Sequence, residues 1–169
     1  MSFRYFKIKP REVAESLGLA LLLLLVLYAF FWQVKVEGDS MRPGLETGDR
    51  VVVSRALAFF HQIKRGDIVI CVIPVNGKPE TAIKRVIALP GDALTLANGS
   101  VYINGSPVPE PYTVGATGPD ISVTLGPGQY FVMGDNRRVS YDSRAAGPIP
   151  RGGIVARVLF EFFPKLKGL

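Results

Sequence analysis

Leu17 to Trp32 reads LGLALLLLLVLYAFFW and contains no charged residue. Extended back to Val13 it reaches 20 residues, with Glu15 near its start. That is the length an α-helix needs to cross about 30 Å of hydrocarbon. A cleaved signal peptide would show an apolar region of about 7–15 residues followed by small residues. Here Tyr28-Ala29-Phe30-Phe31-Trp32-Gln33 places bulky aromatics where small residues would have to stand. The run therefore reads as an uncleaved anchor over 13–32, with Tyr28 and Trp32 as interface aromatics. Arg4, Lys7, Lys9 and Arg11 precede it, against only Lys35 just after it. The positive-inside bias then predicts a cytoplasmic tail over 1–12 and an extracytoplasmic domain over 33–169 in a cell membrane.

The chain as a whole, 48% hydrophobic and 20% charged, is too apolar and too sparsely charged for disorder. One Cys and one His exclude an internal disulfide framework and a His/Cys metal site of usual ligand count. The net charge of +6 is spread without a dense Lys/Arg cluster. That pattern fits a surface near anionic lipid and not a nucleic-acid interface.

Beyond the anchor, apolar runs are short and β-branched. They occupy Arg50–Ser54, Asp67–Ile73, Thr81–Leu89, Ala93–Ala97, Val101–Ile103, Ile121–Leu125, Gln129–Met133 and Val155–Phe163. Turn signals separate them: Asn98-Gly99, Asn104-Gly105, Gly118-Pro119 and Gly126-Pro127-Gly128. Asn98-Gly99 predicts a tight hairpin, and only Arg55–Lys64 reads as weakly helical. The pattern predicts a mostly β domain, a small bent antiparallel sheet or barrel-like system, behind one N-terminal helix.

Among reactive side chains, His61 beside Phe59-Phe60 reads as structural or solvated, and Cys71 inside IVICVI reads as core. Lys84 differs. Strand alternation puts Ala82, Lys84, Val86 and Ala88 on one face, so Lys84 has only small apolar companions. Such a lysine either snorkels to solvent or is desolvated, and a desolvated one loses its proton more readily and can act as a general base. A nucleophile then needs a shaped loop. Glu37-Gly38-Asp39-Ser40-Met41-Arg42-Pro43-Gly44 offers one serine between glycines and a proline. A second polar loop, Gly134 to Arg144, holds two Asp, one Asn, three Arg and two Ser. It reads either as a solvated hairpin or as an ordered hydrogen-bond network.

Four motifs in order resemble the type I signal peptidase (leader peptidase) family, bacterial-type with a single N-terminal anchor. They are Gly38-Asp39-Ser40-Met41-Arg42-Pro43, Arg65-Gly66-Asp67-Ile68-Val69, Lys84 through Asp92, and Gly134-Asp135-Asn136-Arg137 with Ser140 and Asp142-Ser143-Arg144. The resemblance implies Ser40 as nucleophile and Lys84 as general base, with Ser140 hydrogen-bonded to the lysine amine. It implies an Arg85–Asp135 pair tying strand to loop, an Asp142–Arg144 pair within the loop, and an oxyanion region around Gly38 and Ser40. It makes 93–133 a short variable insertion and implies no cofactor. Departures are Gly38 where some members carry serine, Gly44 where Thr is usual, Ala88 where Gly is usual, and Ala145-Ala146 in place of bulkier residues.

The expectation is a membrane-bound serine endopeptidase with a Ser/Lys dyad. It removes signal peptides from preproteins with small residues at −1 and −3. Its rivals are a conjugation-type processing protease of the same fold and a non-enzymatic anchored β module that binds a surface partner. Met41, Ala56–Phe60 and the C-terminal Leu159, Phe160, Phe162 and Phe163 add an expectation of lipid contact outside the anchor.

Overall fold

The computed structural model describes residues 9–161. Helix α1 spans Pro10–Phe30 and opens with proline, whose fixed φ and missing N–H suit a first helical turn. Arg11 and Glu15 pair one turn apart on its exposed surface. The helix stops at Phe30, and Phe31 and Trp32 begin strand β1 (Phe31–Lys35). The apolar run is thus divided between a helix and the sheet, because Phe31 and Trp32 pair with Ser54 and Val53. Among the described residues no helix is long and apolar enough to cross a membrane.

Eleven strands form two antiparallel sheets among the described residues. The larger has seven strands in the order β1, β2 (Arg50–Ser54), β11 (Ile154–Glu161), β3 (Ile68–Val75), β4 (Lys78–Ala88), β9 (Gln129–Met133) and β10 (Ile149–Pro150). The smaller is β7 (Ser106–Pro107), β6 (Ser100–Ile103), β5 (Ala93–Ala97) and β8 (Ile121–Thr124). Asn-Gly turns join β3 to β4, β5 to β6 and β6 to β7. Each has positive φ at both residues, for example 51° at Asn98 and 75° at Gly99. This is the geometry that a right-twisted two-residue hairpin requires and that asparagine and glycine tolerate. Residues 129–133 lie apart from the small sheet. They run between β4 and β10, because four of the five side chains of β9 are buried.

β3 explains how the larger sheet packs. Val69, Cys71 and Ile73 face one core with Val86, Val132 and Ile154. Ile68 and Ile70 face another with Val36, Met41, Leu45, Val51 and Val53. Apolar on both faces, the strand reads as an unbroken run. A third core joins the sheets: Leu94, Leu96, Val101 and Ile103 pack on Ile87, Ala88, Phe131 and Met133. Ala88 belongs there, and not with Lys84 as simple alternation predicts. The β4–β9 register slips between Val86 and Ala88, and such a bulge turns the following residues over.

Helix α2 (Arg55–Phe60) starts where the sequence allows a helix and ends sooner than Lys64. Ser54 caps it, its hydroxyl accepting from the N–H of Leu57 at 3.2 Å. Of the residues expected to meet lipid, Met41 and Ala58 are buried core, and Phe59 points outward with 79% of its surface exposed. Neighbouring side chains of a helix point to different faces, so Ala58 turns inward where Phe59 turns outward. Phe162 and Phe163 lie outside the described residues.

Candidate active site

The loop from β1 to β2 is pinned at its base and clamped around one serine. Val36 donates its N–H to Asp49, and Gly48 donates back to Val36. The side chains of Val36, Met41 and Leu45 then sink into the core below. Ser40 is held half-buried between these anchors. Gly38 stands at φ +84°, with open space where a side chain would project. Backbone conformation, and not crowding, is what a serine there would meet.

Across from this loop runs the segment 134–144. The N–H of Asn136 donates to the Ser40 carbonyl at 2.9 Å, and its side-chain amide donates to the Asp39 carbonyl at 3.2 Å. Gly134 fits between two serines. A Cβ on it would lie 2.5 Å from the Ser40 carbonyl oxygen and closer still to the Ser140 hydroxyl. Only glycine allows that approach. The Ser140 hydroxyl is buried without a hydrogen bond of ordinary geometry, near enough to Asp142 to help keep that carboxylate ionised.

Asp142 organises the segment. Its carboxylate accepts from the N–H of Gly134 at 3.0 Å, from Arg144 Nε at 2.8 Å and from Arg144 Nη2 at 2.9 Å. It also caps the short helix α3 (Ser143–Ala146). Burial alone would raise this carboxyl, but the hydrogen bonds from Arg144 and Gly134 outweigh it and hold the group below the usual carboxylate range. The Arg144 guanidinium reaches on to the carbonyls of Gly118, Arg137 and Ser140.

Lys84 lies opposite Val69 on β3, only 3% exposed, on the face that Ala82 and Val86 share with the first core. Burial lowers its pKa from 10.5. The charge of Asp142, the neighbouring Cys71 and Asp135 oppose that shift, and Arg144 reinforces it. The net effect favours the neutral amine. Cys71, two register positions along on the same face, is pushed up to about 12 by burial, so its thiol keeps its proton. Its Sγ lies 3.6 Å from the Ala82 carbonyl oxygen.

Arg85, next to Lys84 and pointing the other way, makes a two-pronged pair with Asp135 at 2.8 and 2.6 Å. Its third nitrogen donates to the Gly66 carbonyl at 2.9 Å. The structure thus gathers Ser40, Ser140, Asp135, Asp142 and Arg144 around Gly134, with Lys84 inside the field of the same two carboxylates. His61 is exposed at the end of α2. A groove of about 390 Å³ opens between Trp32, Val34 and Lys35 of β1 and Thr81, Ala82 and Ile83 of β4, the three residues that precede Lys84 in the chain. Among the described residues this half of β4 pairs only with β3, since β9 joins from Arg85 onward, and β1 pairs only with β2.

Sequence reasoning assigned no role to Asn136, Glu110, Tyr112 or Arg137. Asn136 stood inside a quoted motif, and its value lies in two carbonyls nearly a hundred residues away. The Glu110–Arg137 pair, at 2.6 Å, spans 27 residues with no local spacing to reveal it.

A half-buried serine on a clamped loop and a desolvated lysine are set in a domain of two antiparallel sheets, and the relatives of the chain are serine-protease hydrolases. The model of the family "Signal peptidase, peptidase S26" matches residues 11–163, and the chain belongs to that family. It is 40% identical over 162 residues to a probable signal peptidase I-1 of Synechocystis, covering 91% of this chain and 83% of that one. To signal peptidase I of Bacillus licheniformis it is 38% identical, covering 90% and 88%. To signal peptidase I T of Bacillus subtilis it is 39% identical, covering 90% and 85%. The crystal structure of a signal peptidase I from Enterococcus faecalis superposes with a TM-score of 0.50 at 29% identity. It covers 59% of this chain and 97% of that one.

Proposed function

We propose that the chain removes signal peptides from translocated preproteins, with Ser40 as nucleophile and neutral Lys84 as general base. The observation that carries this reading is the lysine itself, buried on an apolar face and deprotonation-prone, beside the segment that grips the Ser40 backbone. Neutral Lys84 takes the Ser40 hydroxyl proton as the oxygen attacks the scissile carbonyl. The protonated amine then gives that proton to the leaving amine. Water, deprotonated in turn by the lysine, hydrolyses the acyl-enzyme. The backbone N–H groups around Ser40 are the donors for the oxyanion, each worth about 3–4 kcal/mol in such sites.

An extended substrate suits the groove between β1 and β4, where unpaired strand edges offer main-chain hydrogen bonds. In an extended chain the −1 and −3 side chains fall on one face, so one wall of the groove would meet both. The leucines of α1 from Leu17 to Leu25 are 57–69% exposed. That surface, with the basic residues before it, supports a single bilayer anchor in the helical part of the run, 13–30, with its N-terminus cytoplasmic. Ser40 follows Trp32 by eight residues, under roughly 30 Å of chain, which suits a cut just past an apolar segment.

Incubation of the full chain with a preprotein, followed by N-terminal sequencing of the product, tests the reading. A mature N-terminus after small −1 and −3 residues is expected from the wild type and none from Ser40→Ala. Cleavage that survives Ser40→Ala sinks it.

A further inference from the structure

The segment between β7 and β8 contributes no reactive group, yet it is tied to the catalytic loop by buried charge. Glu110 Oε1 accepts from Arg137 Nη2 at 2.6 Å and from the Tyr112 hydroxyl at 3.1 Å. The Arg137 and Glu110 side chains are 0% and 8% exposed. Arg137 also donates to the Thr117 hydroxyl and, through Nε, to the Gly134 carbonyl at 3.1 Å. The Tyr112 ring covers the Arg85 guanidinium at 4.1 Å, and Arg85 grips Asp135. Val114 completes the attachment in parallel register: its N–H donates to Asp135, and its carbonyl accepts from Arg137.

Two lines of force therefore reach the reacting residues. One runs from Glu110 through Arg137 to Gly134, which touches both Ser40 and Ser140. The other runs from Tyr112 through Arg85 to Asp135, whose chain neighbour Asn136 holds the carbonyls of Asp39 and Ser40. Buried ion pairs return little net stability, because desolvation offsets their attraction. They do fix geometry once every donor is matched, and an error of about 1 Å at a reaction centre lowers its rate about a hundredfold.

We propose that Glu110 and Tyr112 are positioning residues for the Ser40–Lys84 dyad, acting through Arg137 and Arg85 on the backbone of 134–136. The inference rests on the catalytic reading above. It concerns residues that touch neither the groove nor the reacting atoms, so kcat carries the effect while KM does not.

The test uses the full-length chain in detergent micelles with a signal-peptide substrate. Glu110→Ala is expected to lower kcat about tenfold or more with KM within about twofold. The alkaline rise of kcat should shift toward the ordinary lysine range. Lys84 is faced by Cys71 from β3 and by Asp135, Asp142 and Arg144 from the last loop, and loosening that loop admits water to the amine. Glu110→Gln keeps one acceptor oxygen, which can take the hydrogen bonds from both Arg137 and Tyr112, and should recover most of the rate. Tyr112→Phe keeps the ring over Arg85 and should lose about threefold, one hydrogen bond's worth. A lowered melting temperature with wild-type kcat and pH midpoint in both Glu110→Ala and Tyr112→Phe overturns the proposal, as does a change confined to KM. Should Glu110→Ala fail to fold, Glu110→Gln and Tyr112→Phe decide: reduced kcat with a shifted midpoint in Tyr112→Phe supports it, and wild-type kinetics in both rejects it. A wild type that cleaves and a Ser40→Ala that does not show that the catalytic reading stands independently. If the wild type cleaves nothing, that reading fails and this one falls with it.

Discussion

β3 and β4 of the larger sheet carry apolar residues on both faces, whereas β5 and β6 alternate buried with more open positions and β8 alternates half-buried with exposed ones. The two sheets share a core but do different things. The larger contributes Lys84 and Arg85 and frames the loops bearing Ser40 and Asp142. The smaller contributes no reacting residue. It builds a platform from which 108–118 reaches over to the segment 134–137. A lysine becomes a base only where water is excluded, and exclusion needs packing on every side. A sheet with one wet face offers no such position. On the proposed assignment of Ser40 and Lys84, the chemistry belongs to the larger sheet and the smaller one holds a loop.

The sharpest way to break the comparison is to remove the reacting groups. Ser40→Ala and Lys84→Ala should each abolish detectable cleavage, a loss on the order of a thousandfold or more, with the β circular-dichroism spectrum intact. Lys84→Arg should fail equally, because a guanidinium stays protonated. His61→Ala should cleave like the wild type. An active Lys84→Ala would dissolve the distinction between the two sheets.

Gly134→Ala probes the loop without touching a reacting group. The added methyl overlaps the Ser40 carbonyl and the Ser140 hydroxyl, so one of the two must move. A shift of about 1 Å predicts a rate loss of about a hundredfold, with a stability loss of about 1–3 kcal/mol from overpacking. Kinetics beside a thermal melt measures both. A variant as fast as the wild type would mean that the 134 segment yields freely and does not position Ser40.

Much of this was legible before any fold. Strands β2, β5 and β9 run over the stretches that period-two patterning and turn residues marked. Asn98-Gly99 closes a hairpin. Lys84 stood out because its strand neighbours on one face are small and apolar. What escaped reading was non-local or irregular. β10 has two residues, too few for a pattern, and exists because Ile149 pairs with Tyr130. The bulge after Val86 moved Ala88 to another core, and no residue type announces it. β1 hid inside the apolar run, since Phe31 and Trp32 fit a helix or a strand equally well until Val53 and Ser54 claim them. The Glu110–Arg137 pair was invisible because two charges 27 residues apart in sequence show no spacing rule.

Leu96→Ala sharpens the comparison from the other side. Leu96 is buried in the core between the sheets and lies in the smaller one. Its truncation should cost about 2–5 kcal/mol of stability. At a temperature where both proteins are folded, cleavage should stay within about twofold of the wild type. Stability and rate would then separate, as they should not in the larger sheet. A parallel fall of both would show that the core between the sheets itself sets the geometry of the site.

The smallest effect divides the catalytic region within itself, between Lys84 and Asp142. Burial holds Lys84 below its ordinary value of 10.5, so folding favours the amine that has lost its proton. Between the lowered value and 10.5 the unfolded chain binds more protons, so this group's contribution improves as pH rises and is most unfavourable below the lowered value. Asp142 is also depressed, from 3.8, by the hydrogen bonds that outweigh its burial. Its contribution is fully present above 3.8 and is lost as pH falls through the depressed value. The same sign of shift thus makes the base a burden and the acid a support at neutral pH, each unit corresponding to about 1.36 kcal/mol. Lys84→Met keeps the apolar stem and removes the titration. It should melt above the wild type at pH 7, with the gap narrowing as pH rises toward 10.5, while doing no catalysis. Cys71, whose raised value makes its own contribution fall above pH 9.0, is itself lowered by the Lys84 charge, so the gap below pH 9.0 is the part that reports Lys84 alone. A gap that stays constant from pH 6 to 10 would mean that Lys84 titrates alike folded and unfolded, and that burial has not made it a base.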